Sequence, residues 1–192
     1  MNDTQRRAVL FGVPIVILFV GLLAGWIGHA LVSPPGRTAT VATYGSWTLT
    51  CPPYSQSKVE CTLALPIFDK QSGTTAASLT MGHAPDGLKL AVTVPLSVLL
   101  VPGMALTVGS EPMRAYHYDT CTIQGCFAAI LVDDKLLASL RSAKQATLEF
   151  AVPNKDNRPY ALTFPLDGFV DGDDAFQQDE AMRHSWWRRL WS

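Results

Sequence analysis

Between Ala8 and Val32 the chain carries no charged residue, and only Pro14, scattered glycines and His29 interrupt its apolar character. As a helix, residues 8–32 would measure roughly 37 Å at about 1.5 Å per residue, enough to cross a hydrocarbon layer of about 30 Å with some tilt. Arg6 and Arg7 precede the run, which assigns residues 1–7 to the cytoplasmic side and the body of the protein to the periplasm. Trp26 falls near the far interface, where an aromatic anchor is expected. Ser33-Pro34-Pro35-Gly36 then stops the helix and opens a linker over 33–43. A cleaved signal peptide is the competing reading, with Gly28-His29-Ala30 as a small-x-small site. Signal cores are usually shorter, about 7–15 residues. Gln5-Arg6-Arg7-Ala8-Val9-Leu10 also resembles a twin-arginine export signal, a weak pattern. The retained anchor is the expectation carried forward: a single-pass protein of a bacterial inner membrane, with its soluble domain in the periplasm.

From Ser46 the apolar residues recur with period two, the spacing of a half-buried strand. Trp47, Leu49 and Cys51 share one face, and Val59, Cys61, Leu63 and Leu65 repeat the pattern after Pro52-Pro53-Tyr54-Ser55-Gln56-Ser57. Further strands are expected near Ala76–Met81, Leu88–Val94, Met104–Val108, Ala115–Cys121, Phe127–Val132, Ala146–Val152 and Tyr160–Pro165. Turn signals such as Pro85-Asp86-Gly87 and Pro102-Gly103 separate them. Asp133 or Asp134 caps one short helix in which Leu136, Leu137 and Leu140 form the apolar face. The fold class expected over 44–170 is therefore mainly β, a β-sandwich or partly open barrel with one short helix. No internal repeat is visible.

Cys51 and Cys61 face inward on adjacent strands, a placement that favours a disulfide between them. Cys121 and Cys126 enclose Thr122-Ile123-Gln124-Gly125, a loop short enough to close the same way. The alternatives are a four-cysteine zinc site, whose spacing fits poorly, and a redox-active pair, for which no CxxC is present. Net charge is −1, from 15 basic and 16 acidic residues. Nothing in that balance marks a nucleic-acid binder. No nucleophile, zincin, phosphate-loop or dinucleotide motif occurs. His29, His83, His117 and His184 are isolated. Asp171-Gly172-Asp173-Asp174 hints at calcium, but Met182 stands where the twelfth ligand should be, so a solvated acidic turn is expected. No catalytic residue, metal, cofactor or small-molecule substrate is expected.

Several stretches together resemble the invasion-associated locus B family of exported proteobacterial proteins. They are Tyr44-Gly45-Ser46-Trp47-Thr48-Leu49-Thr50-Cys51 with Cys61, then Val94-Pro95-Leu96-Ser97-Val98-Leu99-Leu100-Val101-Pro102-Gly103. Tyr118-Asp119-Thr120-Cys121-Thr122-Ile123-Gln124-Gly125-Cys126-Phe127-Ala128 and Leu166-Asp167-Gly168-Phe169 complete the set. The resemblance implies a periplasmic or surface-associated β-sandwich without known catalytic chemistry. The long N-terminal span and the long tail depart from the family pattern.

The tail, 171–192, opens with acidic residues and closes with Arg183, His184, Arg188 and Arg189 interleaved with Trp186, Trp187 and Trp191. As a helix from about Asp174 it matches the macrodipole, and Phe176, Met182, Trp186, Trp187, Leu190 and Trp191 share one half of its wheel. The wheel places Arg188 and Arg189 on the other half. An amphipathic C-terminal helix of this kind binds a lipid interface or a membrane partner. The simpler reading has Phe176 and Met182 packing on the domain while the rest frays. Together these features lead to the expectation of a non-enzymatic accessory or stabilising subunit, in contact with inner-membrane lipid and a membrane-protein complex. The alternatives are a secreted or surface-associated invasion-type factor contacting host cells, and an enzyme acting on envelope material.

Overall fold

The period-two pattern becomes two antiparallel sheets that share one core. The structure is a computed structural model describing residues 20–22, 25, 39–53, 59–69, 72–153 and 159–184. The chain falls into two units, Met1–Arg37 and Thr38–Ser192. In the first, residues 20–22 and 25 are helical. Among the described residues no helix is long and apolar enough to cross a membrane. The span expected over 8–32, Trp26 included, lies almost wholly outside them.

In the second unit, β1 (Thr40–Tyr44), β2 (Trp47–Cys51), β3 (Thr62–Phe68), β4 (Thr75–Ala84) and β5 (Gly87–Val94) run as a meander. β6 (Met104–Val108) and β7 (Arg114–Tyr116) move to a second sheet. β8 (Thr120–Thr122) and β9 (Gly125–Leu131) return to the first. After α1 (Asp134–Ser142), β10 (Gln145–Ala151) and β11 (Pro159–Pro165) complete the second sheet, and α2 (Phe169–His184) follows. The strand orders are β1-β2-β3-β4-β5-β9-β8 and β11-β10-β6-β7. The expected sandwich is therefore the observed architecture, with two separate sheets in place of the alternative, a partly open barrel.

Register explains the core. Leu49 stands opposite Leu63, Leu63 opposite Met81, Met81 opposite Leu90, and Leu90 opposite Ile130. Directly opposed residues point to the same face, so this row crosses the sheet as one apolar stripe, and all five side chains are buried. Leu106, Leu148 and Phe164 of the second sheet are buried in the same core. α1 forms as its residues dictate: Asp133 is the N-cap, accepting the Leu136 N–H at 2.7 Å, and Leu136 and Leu140 are buried.

Four expectations need correction. The end of the supposed linker, 33–43, is strand β1, whose small residues carry little alternation. Val59 is exposed and precedes the strand, which starts at Thr62. The single strand expected over Ala115–Cys121 is two, because the chain crosses between sheets there. Asp119 sets that crossing: its N–H donates to the Phe127 carbonyl at 2.8 Å and its carboxylate accepts the Ala129 N–H at 2.7 Å. The C-terminal helix begins at Phe169, five residues before the expected Asp174, and packs on β1, β2, β3 and α1.

Candidate functional site

The β1–β2 hairpin and the start of α2 lock together at one end of the sandwich. Gly45 and Gly168 both have positive φ, at 55° and 78°, and each faces the other segment's backbone so closely that a Cβ would overlap it. Ser46 donates from its N–H to the Asp167 carbonyl at 3.3 Å and from its hydroxyl to Asp167 Oδ1 at 2.9 Å. Trp47 then meets Phe169 edge-on, with ring centroids 5.0 Å apart, in a geometry aromatic pairs favour. These contacts fix where α2 starts and which way it runs.

Along α2, positions 169, 172, 173, 176 and 180 are buried, a spacing of three to four residues that forms one helical stripe. The stripe mixes apolar and charged groups. Asp173 is only 1% exposed, and Arg141 of α1 bridges it and Asp174, the latter at 2.8 Å. This replaces the solvated acidic turn expected at 171–174. Phe176 is fully buried and stacks on His83, with centroids 5.4 Å apart. It belongs to the core, because the sheet already occupies the face that a membrane or partner would need. Phe176 is thus removed from the set of expected contact residues.

At the far end of α2 lies the first disulfide, Cys51–Cys61, with Cα atoms 4.2 Å apart. The buried Glu180 accepts the Cys61 N–H at 2.8 Å, and Asp179 Oδ2 lies 2.9 Å from Cys61 Sγ. Arg183 donates from Nε to Asp179 at 3.1 Å and from Nη2 to the Pro52 carbonyl at 2.5 Å. Its side chain is almost fully buried, and acceptors around a buried guanidinium offset the cost of taking its charge out of water. Cys51, Cys61 and Asp179 bring three ligand atoms within 4.8 Å of one another. The two sulfurs are bonded together, however, so the trio offers no thiolate to a metal. A groove of about 210 Å³ opens beside this clasp, between Thr40, Ala42 and Tyr44 on β1 and Gln178, Asp179 and Met182 on α2.

Thr40 pairs with Cys51 in the sheet, and Arg183 is bonded to Pro52. The chain therefore enters the β domain and leaves α2 at the same end, with the Cys51–Cys61 bond between the two exits. The second disulfide, Cys121–Cys126, lies at the opposite end, where Cys126 stands opposite Val94. Six residues of β4 or β5 separate the two ends, about 20 Å at roughly 3.3 Å per residue.

All four cysteines thus pair as the strand pattern and the short loop imply. Met182 is 38% exposed on the groove wall. Trp186, Trp187, Arg188, Arg189, Leu190 and Trp191, like Trp26, lie outside the described residues. Sequence reasoning missed the Asp179–Glu180–Arg183 clasp, since acids and a base four residues apart on a helix ordinarily read as a solvated face.

A sequence model of the family described as "Invasion associated locus B (IalB) protein" matches residues 47–177. The match runs from β2 into α2 and stops short of the clasp. Among curated proteins, the chain is 28% identical over 145 residues to "Invasion protein B" of Bartonella bacilliformis, covering 71% of this chain and 74% of that one. An "Invasion protein B homolog" of Brucella abortus is 25% identical over 143 residues, covering 71% of this chain and 78% of the relative. The crystal structure of invasion associated protein b from Bartonella henselae superposes with a TM-score of 0.64 at 23% identity, covering 73% of this chain and 98% of that one. That likeness speaks for the fold.

Proposed function

Since the chain belongs to the invasion associated locus B (IalB) family, we propose that it works as a non-enzymatic interaction protein of the bacterial envelope. Its β domain is held at the periplasmic face of the inner membrane and stabilises a membrane-protein complex there. The observation that carries this reading is the shared exit end. The strand that follows the N-terminal unit and the helix that leads to the tryptophan- and arginine-rich tail are both fastened to Cys51–Cys61. The tail therefore follows from the same end of the domain as the strand that comes after 8–32, and its tryptophans and arginines are the residue types favoured at a lipid interface. Two disulfides in one modest domain accord with an oxidising compartment.

The relatives' printed names favour a second reading, a secreted or surface factor concerned with invasion. A chain ending at His184 separates the two. On the tether reading this variant stays in the membrane fraction, keeps its fold and loses its complex on native gels. A full-length chain that is recovered soluble and alone refutes the reading.

A further inference from the structure

The two disulfides stand in opposite surroundings. Cys121 is exposed on β8, a three-residue strand at the edge of its sheet. It pairs directly with Cys126 of β9, which is 1% exposed. A thiolate that opens a disulfide attacks one sulfur and expels the other. Approach from solvent is therefore to Cys121, and Cys126 is the sulfur that leaves. The chain carries no charged residue from Leu90 to Ser110 or from Thr120 to Val132. Neither the hairpin nor the adjoining β5–β6 connection thus sets a like charge against an incoming thiolate. That connection is held in place: the Leu99 N–H donates to the Ala151 carbonyl at 2.8 Å and the Gly103 N–H to the Leu100 carbonyl at 3.0 Å.

Cys51 and Cys61 are 2% and 0% exposed, beneath the last turns of α2. Arg183 ties that end of the helix to the Pro52 carbonyl. The groove between β1 and α2 reaches Cys51, but attack there has to expel Cys61 as a thiolate beside the Asp179 carboxylate, 2.9 Å from its sulfur. A carboxylate that close disfavours a thiolate.

The β8–β9 hairpin keeps its register without help from its disulfide. The Asp119 N–H donates to the Phe127 carbonyl at 2.8 Å, and the Asp119 carboxylate accepts the Ala129 N–H at 2.7 Å. The Gln124 N–H donates to the Thr122 hydroxyl across the turn at 3.1 Å. Opening the bond leaves the two thiols opposed and ready to close again.

We propose that Cys121–Cys126 is a thiol–disulfide exchange site, opened and re-formed by an external dithiol, while Cys51–Cys61 stays closed. One thiol of the dithiol loses its proton and attacks Cys121 Sγ. The S–S bond breaks, and Cys126 departs as a thiolate and takes up a proton. The second thiol then loses its proton and attacks the first across the mixed disulfide. Cys121 leaves and is protonated in turn, so the protein gains two thiols and the dithiol becomes a disulfide. The reverse sequence closes the bond.

The test begins with the oxidised full chain in mild detergent, given timed pulses of dithiothreitol, quenched in acid, alkylated and mapped by mass. Cys121 and Cys126 are expected to take up label together, at least about tenfold faster than Cys51 and Cys61, which wait on an opening of α2. With glutathione in place of dithiothreitol, the adduct falls on Cys121 and the alkyl label on Cys126. The partly reduced chain keeps its near-ultraviolet spectrum and regains the bond when oxidised dithiothreitol is added. Equal rates, earlier opening of Cys51–Cys61, an adduct on Cys126, or loss of the spectrum on opening overturns the proposal. In its own cells, Cys126→Ser leaves Cys121 free to attack a partner disulfide and remain joined to it. A protein-sized adduct identifies a dithiol protein as the source and a small mass gain a low-molecular-weight thiol, whereas no adduct overturns the proposal. None of these outcomes depends on whether the chain is held in a membrane.

Discussion

At the scale of single residues, the domain depends on contacts that join sequence-distant segments. Gly168 touches the Tyr44 backbone at positive φ. Gly168→Ala therefore combines a left-handed strain with an overlap against backbone that has no room to move. The expected loss is about 2–4 kcal/mol, measured by urea unfolding followed through tryptophan fluorescence. Arg141→Ala leaves the carboxylate of Asp173 buried without its guanidinium, and about 2–3 kcal/mol is expected to be lost by the same measurement. Tyr118 gives a contrasting case. Its hydroxyl is sealed from solvent without a hydrogen-bond partner among the described residues, and burial pushes its phenol above the ordinary 10.0. The unfolded chain ionises first, so Tyr118's contribution to stability is intact below pH 10.0 and declines as pH rises above it. Tyr118→Phe should match or exceed the parent at neutral pH and lose less stability on the alkaline side, seen by comparing the unfolding free energies of the two across pH.

At the scale of elements, the two disulfides do different work. Cys51–Cys61 closes a separation of 10 residues and Cys121–Cys126 one of 5. Loop entropy alone gives them similar weights, about 3 and about 2 kcal/mol. The first also holds Glu180 and Arg183, hence the end of α2. Paired replacement of Cys51 and Cys61 by Ala should therefore cost more than that of Cys121 and Cys126. Proteolysis should detect α2 loosening only in the former. The strands were legible because their inward residues alternate without interruption, as in Met104–Val108, where expected and observed boundaries coincide. α2 was legible only in part. Its buried stripe includes Asp173 and Glu180, so apolar periodicity alone directs attention to Met182 and beyond, away from the face that packs. The apolar run Leu96–Val101 misleads the other way. It has the composition of a core strand, yet only Val98 in it is buried, because two prolines and a turn deny it a ladder.

At the scale of the whole molecule, the β domain has two unlike ends. One gathers the chain exits, the Cys51–Cys61 bond and a buried ionic clasp. The other presents uncharged apolar side chains on a disulfide-closed hairpin and a pinned loop. The family match at 47–177 covers β2 to β11 and the first half of α2, the apolar end and the Cys51–Cys61 bond included, and leaves out β1 and the acidic and basic residues of the clasp. The proposed function rests on the first of these ends, where the strand that begins the domain and the helix that closes it meet. The most direct check is the intact mass of the full chain purified from membranes in mild detergent. A chain retaining residues 8–32, lighter by the four hydrogens that two disulfides remove and co-eluting with a membrane complex, is the expected result. A mature chain starting near residue 31, soluble and alone, would contradict it.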